Sequence, residues 1–409
     1  MTERLYYTDP FVRSFDATVV RAEHQSGTAG TARTRDGRTI VTLDRSAFYP
    51  TSGGQPFDVG TLAGHQVVDV VDNEDDGSVG HVIEGDAPLT VGQSVHGEID
   101  WPRRFDHMQQ HSGQHVLSAA FVRLFDVRTV SFHLSADAST IDLAREVTAG
   151  EIAAAERAAN DVVWEDRPVH VSFVSKEEAL KLPLRKESAR EGTLRLIDID
   201  RWDLSACGGT HVPRTGIIGV IAIASWERFK GGQRVEFLCG ARALRRFGAM
   251  RDVVTAGSRL LSVLPHEVPP AIERLLAEAK DQRRASTQLK SELARYQAED
   301  LVSSAEPSAS GHLVLRAIDA DANTLKALAS AVTAKPGLVA VLISTSKPAL
   351  AVVARSADVS VSAQQVLAGL VAKFGGRGGG KPELAQGGGL DGEPADILAD
   401  AKARVGGHS

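Results

Sequence analysis

HMQQHSGQH, residues 107–115, lies inside a stretch of helical periodicity that opens at Trp101-Pro102 and runs to about Phe125. Pro102 suits the first turn of a helix, where the N–H that proline lacks has no partner to lose. At 3.6 residues per turn, His111 and His115 stand one turn apart on one face, within reach of a single cation. His107 and His111 share that separation, so spacing alone leaves two registers open. Further along, CGGTH at residues 207–211 repeats the interval of four between Cys207 and His211, and Gly208-Gly209 would let the backbone turn tightly around a site. Three imidazoles and one thiolate are borderline-to-soft donors that suit Zn2+ better than magnesium or calcium. Taken singly, a histidine on this stripe is more often a packing residue; the two clusters together reverse that preference. The helix lacks the glutamate of HExxH and neither cysteine belongs to a CxxC pair, which weighs against a metalloprotease, a zinc finger and a dithiol redox site.

The flanking sequence sets this helix in an α+β, multidomain chain. Residues 15–99 carry short β-branched runs, FDATVVRAE, TIVTL, HQVVDVV, GHVIEG and SVHGEID, separated by glycine, aspartate and asparagine. They predict a small, mostly antiparallel β-barrel or sheet. After the helix, TVSFHL, STIDL, PVHVSFV, TLRLIDID, GVIAIASWE and RVEFLCG are strand-like and are interleaved with a helix near Ala149 to Asn160, giving an α+β domain that ends near Gly240. From about Pro269 to Tyr296 apolar or small residues recur every three and four positions, which predicts a long amphipathic helix, a spacer arm or the contact of a homodimer. SSAEPSASG, residues 303–311, is a linker by composition, and a compact C-terminal α/β unit follows. The expected division is a barrel-like domain over 1–100, a metal-binding domain over 101–245, a helical linker or dimerisation arm over 246–302 and a C-terminal domain over 311–409.

The chain has 409 residues, 43% hydrophobic and 24% charged, the composition of an ordinary soluble protein. Two cysteines, Cys207 and Cys239, fit a reducing cytosol better than a secreted fold, although a bridge between them is conceivable. The N-terminus lacks the apolar segment of a signal peptide, and the most apolar stretch, Gly337 to Ile343, is too short to span a bilayer, so no membrane role is expected. Formal net charge is −6, yet Trp226 to Arg251 holds seven basic residues against Glu227 and Glu236, a local surplus of five that reads either as a phosphate-facing patch or as a solvated face.

HSGQH, CGGTH, FYPTSGGQPFDVGTL at 48–62 and RVEFLCG at 234–240 resemble the editing region of alanyl-tRNA synthetase and its free-standing AlaX relatives, over residues 1 to about 245. GGRGGGKPELAQGGG, residues 375–389, resembles the glycine-rich signature of the synthetase's C-terminal domain, and the combination matches the long form of AlaX. The resemblance implies that His111, His115, Cys207 and His211 are the metal ligands, which settles the register against His107. It implies a substrate pocket drawn from Thr51, Gly53, Gly54, Gln114, Ser131 and His133. Gln114 departs from the threonine that the synthetase site often has there. No aminoacylation domain precedes residue 1, so ATP-driven charging should be absent.

The expected activity is hydrolysis of the ester that joins a wrong amino acid, serine and secondarily glycine, to alanine tRNA. No residue is assigned a catalytic role. Arg234, Arg242, Arg245, Arg246, Arg377 and Lys381 are the expected tRNA contacts. Gly375-x4-Gly380-Lys381 mimics a phosphate-cradling loop, but Pro382 stands where a magnesium-binding hydroxyl is required, so an NTPase is not expected. The competing readings are a zinc hydrolase of another ester or amide, and a non-catalytic tRNA-binding protein with structural zinc.

Overall fold

A computed structural model describes residues 1–25, 38–73, 75–85, 87–135, 137–186 and 192–406. The chain divides into two compact units, Met1–Ala256 and Gly257–Ser409. The first contains six strands, β1 (Ser14–Gln25), β2 (Arg38–Leu43), β3 (Gly60–Leu62), β4 (His65–Asn73), β5 (Ser78–Glu84) and β6 (Ser94–Ile99); β2 and β6 bury every second residue, whereas β5 is buried from Ser78 to Ile83. They close into a barrel in the order β1-β2-β5-β4-β3-β6. Closure encloses one apolar core, to which Val19, Val41, Leu43, Val67, Ile83 and Val95 all contribute. Buried with them is His81, whose Nε2 is 2.7 Å from Ser46 Oγ and whose Nδ1 is 2.9 Å from the Val41 carbonyl.

The segment 47–59 between β2 and β3 leaves the barrel and carries the Thr-Ser-Gly-Gly-Gln turn. It is tied to helix α1 (Trp101–Phe125) by a buried ion pair in which the Arg104 guanidinium meets both carboxylate oxygens of Asp58. Arg104 also donates to the Pro10 carbonyl at 3.0 Å, and Asp58 accepts from Tyr49 N at 2.7 Å, so both charges are well bonded.

Helix α1 starts where Asp100 caps Arg103 N and ends at Asp126 in the left-handed conformation. It is buried on every side from His107 to Phe121 although it is rich in polar residues. Most of its polar groups are bonded individually, His107 Nδ1 being an exception. Gln110 exchanges two bonds with the backbone of Cys239, and Gln109 donates to the Ile217 carbonyl. Gly113 is dictated by proximity, since a Cβ there would lie 2.2 Å from Cys239 Sγ. Around α1 stand β7 (Thr129–Leu134), β8 (Ser139–Leu143), helix α2 (Ala149–Trp164), β9 (Val169–Val174), β10 (Leu194–Ile199), β11 (Asp203–Ala206), β12 (Ile221–Phe229) and β13 (Gly232–Cys239). The strands form two antiparallel sheets, β12-β13-β8-β7 and β9-β10-β11. Gly240 at φ +53° then turns the chain into helix α3 (Ala241–Leu261).

The second unit begins with the rest of α3 and the 36-residue helix α4 (Val268–Ser303), longer at both ends than the periodicity predicts. Ala294 and Ala298 pack on α5 (Ala322–Val332), whereas Leu275, Leu276, Leu289, Leu293 and Tyr296 are exposed. The expected linker at 303–311 is instead a hairpin: β14 (Glu306–Ser308) pairs with β15 (Gly311–Ile318), and Ser308 Oγ donates to the Gly311 carbonyl across a short turn. With β16 (Leu338–Ser344), β17 (Ala349–Arg355), helix α6 (Ala363–Phe374), β18 (Arg377–Lys381), β19 (Leu384–Leu390) and helix α7 (Pro394–Gly406), they build a sheet ordered β14-β15-β16-β17-β19-β18. The pair β15-β16 is parallel and is crossed by α5. The glycine-rich segment is thus an edge strand rather than a turn. A Cβ at Gly378 would meet Gly387 Cα at 2.6 Å, and one at Gly380 would meet the Leu384 carbonyl at 2.4 Å. Among the described residues no helix is long and apolar enough to cross a membrane, and both cysteines are free thiols.

Two measurements probe these interactions. Asp58→Ala leaves the Arg104 charge buried and unpaired and is expected to cost about 3–5 kcal/mol in urea unfolding. Removing the exposed Arg228–Glu146 pair should cost under about 1 kcal/mol. Burial holds His81 at about 4, below its ordinary 6.5. The unfolded chain therefore takes up the proton first, so this contribution to stability is complete above 6.5 and is lost as the pH falls towards 4. Replacing His81 by glutamine should flatten the stability-against-pH curve in that window by up to about 1.4 kcal/mol per pH unit. An unchanged slope would count against the assignment.

Candidate metal centre and substrate cavity

His111 and His115 come from the middle of α1, while Cys207 and His211 come from the segment following β11. One ligand atom from each lies within 4.8 Å of every other. Nε2 of His111 and Nε2 of His211 are each 3.4 Å from Cys207 Sγ. Donors of a tetrahedral zinc, at about 2.3 Å for sulfur and about 2.0 Å for nitrogen, stand about 3.3–3.6 Å apart, so this donor set fits a zinc-sized ion. His107 is not part of the cluster.

Each imidazole is oriented from behind through its other nitrogen. Nδ1 of His111 is 2.8 Å from Gln55 Oε1, Nδ1 of His115 is 2.9 Å from Asp203 Oδ2, and Nδ1 of His211 is 3.1 Å from Ser112 Oγ. Such partners leave Nε2 directed at the centre and raise ligand basicity. Asp203 is itself held by Arg185 and by the Ser205 hydroxyl. Burial works against the Asp203 charge, but its bonds to His115 and Arg185 prevail and hold the carboxyl below its ordinary range. Burial likewise opposes ionisation of Cys207, but His111 and His211 beside it bring the thiol well below its usual value. His211 falls to about 3, by burial first and by the neighbouring His111 second. Burial works against a charged His115, but its bonds to Asp203 and Cys207 prevail and raise it above its ordinary 6.5. The Cys207 thiolate and the neutral His211 are thus the two groups already in the protonation state that a soft divalent cation requires.

Gly209 has a different role from the one its sequence suggests. Its φ is not in the left-handed region, and a Cβ would lie 2.1 Å from Cε1 of His111. It supplies room for a ligand rather than a turn. The turn residues proper are Gly53 and Gly54, at φ +58° and +86°. Gly54 lies against Phe132, which stacks on His111 at 5.4 Å between ring centres.

Beside the cluster opens a cavity of about 620 Å3 whose lining includes Ser52, Gly53, His111, Gln114, His115, Ser131 and Cys207. Of the expected pocket residues, Gly53, Gln114 and Ser131 are on its wall and Gly54 supports the wall from behind. Thr51 is not on it: the hydroxyl accepts from Phe57 N and the residue lines a separate cleft beside Asp69–Asp72. His133 is also outside, because β7 runs on past the cavity and leaves that residue exposed. The Gln114 amide donates to Ser118 Oγ at 2.8 Å, Thr129 donates to the same oxygen, and Gln114 Oε1 makes no bond among the described residues. Unexpected on the wall are Tyr7, Phe173, Arg185, Lys186 and Arg195. Asp203 was legible in principle: Asp203, Ser205 and Cys207 alternate along one face of a strand that leads into a ligand.

The basic candidates divide. The Arg234 guanidinium is bidentate on Asp142, and Arg242 is buried in an ion pair with Asp106 while donating to the Ser135 carbonyl. Both are structural, their charges already matched. Arg245, Arg246, Arg377 and Lys381 are exposed.

Comparison with known proteins agrees with this arrangement. The sequence matches the family model for class II (A) tRNA synthetases over residues 1–103, the threonyl and alanyl tRNA synthetase second additional domain over 194–236 and the DHHA1 domain over 310–407. It is 32% identical to an alanine–tRNA ligase of Pyrococcus abyssi over 94% of this chain and 42% of that protein. It is 36% identical to one from Halobacterium salinarum over 98% of this chain and 44% of that protein. The chain thus spans about two fifths of the length of these ligases. With the alanyl-tRNA editing protein AlaX-L of Pyrococcus horikoshii it shares 29% identity over 100% of this chain and 99% of the relative. This end-to-end match makes the protein a homologue of AlaX-L, and the second additional domain and DHHA1 matches fit a long-form AlaX.

Proposed function

We propose that this chain is an aminoacyl-tRNA deacylase that hydrolyses the ester of serine, and secondarily of glycine, on alanine tRNA, with zinc held by His111, His115, Cys207 and His211. The observation that carries the reading is the convergence of these four donors, three of which, His111, His115 and Cys207, lie on the wall of a cavity of about 620 Å3. A zinc ion bound there would supply Lewis acidity, polarising an ester carbonyl or lowering the pKa of a water. The chain's own groups do the positioning. Gln55, Asp203 and Ser112 fix the imidazoles, and Arg185 fixes Asp203. Tyr7 and Phe173, with ring centres 6.4 Å apart on the cavity wall, give a base of the RNA end an apolar surface to stack on.

Discrimination falls to Gln114. With its amide NH2 anchored on Ser118, Oε1 is an acceptor for the serine hydroxyl, and an alanine ester would leave that oxygen unpaired. Exposed Arg245, Arg246, Arg377 and Lys381 are the remaining tRNA contacts in this reading, with 311–409 as the RNA-gripping domain. The exposed leucine stripe of α4 supports association of two copies, and the reduced thiols support a cytoplasmic setting.

Hydrolysis of Ser-, Gly- and Ala-charged alanine tRNA tests the proposal. The intact protein should cleave the serine ester well ahead of the alanine ester. Cys207→Ala should lose both bound zinc, read by elemental analysis, and activity. A zinc-replete protein that binds tRNA and cleaves no ester would instead make the metal structural. Gln114→Ala should lower kcat/KM for the serine ester by about 10- to 100-fold, corresponding to about 1–3 kcal/mol for one lost hydrogen bond to a buried polar group. Its zinc content should stay the same.

A further inference from the structure

A second cavity, of about 450 Å3, opens where the first turn of α3 meets the first turns of α1. Its lining includes Arg103, Asp106, His107, Gln109, Arg242 and Arg245. Asp106 and Arg242 neutralise each other, and Gln109 is spent on the Ile217 carbonyl. That leaves two cations without a carboxylate partner among the described residues. Arg103 donates to the Phe57 carbonyl and covers the Phe57 ring, and Arg245 is exposed and makes no ion pair. His107, which the metal cluster does not use, is only 2% exposed, and its Nδ1 has no hydrogen-bond partner. An orphaned imidazole nitrogen at such depth is uncommon in a folded protein. Burial and the surrounding Arg103, Arg242 and Arg104 push His107 down to about 3, which marks a locally positive field with a neutral ring inside it.

We infer that this cavity is an anion site for a backbone phosphate of the RNA, distinct from the metal centre, with Arg103 and Arg245 as its cations and the unpartnered imidazole of His107 as a hydrogen-bond donor. The chemistry matches. Two guanidinium groups present planar forks suited to phosphate oxygens, and the first turn of α3 adds amides that its own helix cannot satisfy. A cationic ligand of similar size is poorly served, since the one acid on the wall, Asp106, is already paired with Arg242. His107 precedes the ligand His111 by one helical turn, so a phosphate here is held by the same rigid helix that carries the metal site. The inference rests on the RNA substrate proposed above and gives it a second point of attachment.

The test compares the full-length, zinc-loaded protein with Arg245→Glu and with the double variant Arg103→Ala/Arg245→Ala. Binding of uncharged alanine tRNA is followed by fluorescence anisotropy at several salt concentrations. The variants should bind about tenfold more weakly, and the slope of log affinity against log salt should fall by about one for each phosphate no longer neutralised. In deacylation the loss should appear in KM rather than kcat, with zinc content unchanged. Arg245→Glu alters only an exposed residue, so it keeps the test decisive if the double variant folds poorly. An unchanged affinity and salt slope would overturn the inference. So would a cavity that binds inorganic phosphate, read by isothermal titration calorimetry and lost in both variants, while tRNA affinity is indifferent to them. A reduced salt slope in variants of a protein that cleaves no ester would refute the hydrolytic reading and leave this site standing.

Discussion

The side-chain amide of Gln55 joins three segments that are remote in sequence. Its oxygen meets Nδ1 of His111 and accepts from Thr210 N, while its nitrogen donates to the Thr210 hydroxyl at 2.8 Å. One fully buried group thereby fixes the barrel's long loop, the central helix and the Cys-Gly-Gly-Thr-His segment relative to one another. The cost of burying an amide is offset only while all its partners are in place. The geometry of the cluster of His111, His115, Cys207 and His211 is therefore cooperative with docking of the barrel, and the Arg104–Asp58 pair secures the same loop from its other end.

The central helix shows how a polar sequence becomes a core element. From His107 to Phe121 it is enclosed, yet Gln109, Gln110, Ser112 and Gln114 remain buried because each finds a defined partner. Directional polar bonds of this kind restrict the arrangement more sharply than apolar packing, which tolerates shifts. A metal site gains from that restriction, because its ligands must already stand near their final separations in the folded protein.

Much of this was legible in the residues. The intervals within HMQQHSGQH and CGGTH pointed to two clusters that could share a cation, with the register between His107 and His115 left to the family resemblance; short β-branched runs between turn residues pointed to the barrel strands, and Trp101-Pro102 marked the start of the central helix. What was hidden depends on contact between distant segments. Nothing local in Gln55 points to His111, and Gly209 reads as a turn residue because a sequence does not reveal that an imidazole will occupy the place of its Cβ. Arg234 and Arg242 counted as surface cations until Asp142 and Asp106, from β8 and α1, came opposite them. The hairpin at 306–318 was masked by serine and glycine composition, which describes a tight reversal as readily as an open connection. Residues 187–191, beside the cavity wall in sequence, lie outside the described residues.

The outermost strand of the C-terminal sheet, Arg377–Lys381, pairs on one side only and is exposed along its whole length. Such a margin is ordinarily an invitation to fibril growth, since its free amides and carbonyls can recruit an identical neighbour. Here the three interior glycines offer no apolar surface for a zipper, and two copies meeting head to tail would set Arg377 against Lys381 at both ends. The composition that lets the backbone lie so close to its inner partner also makes this border repel its own kind.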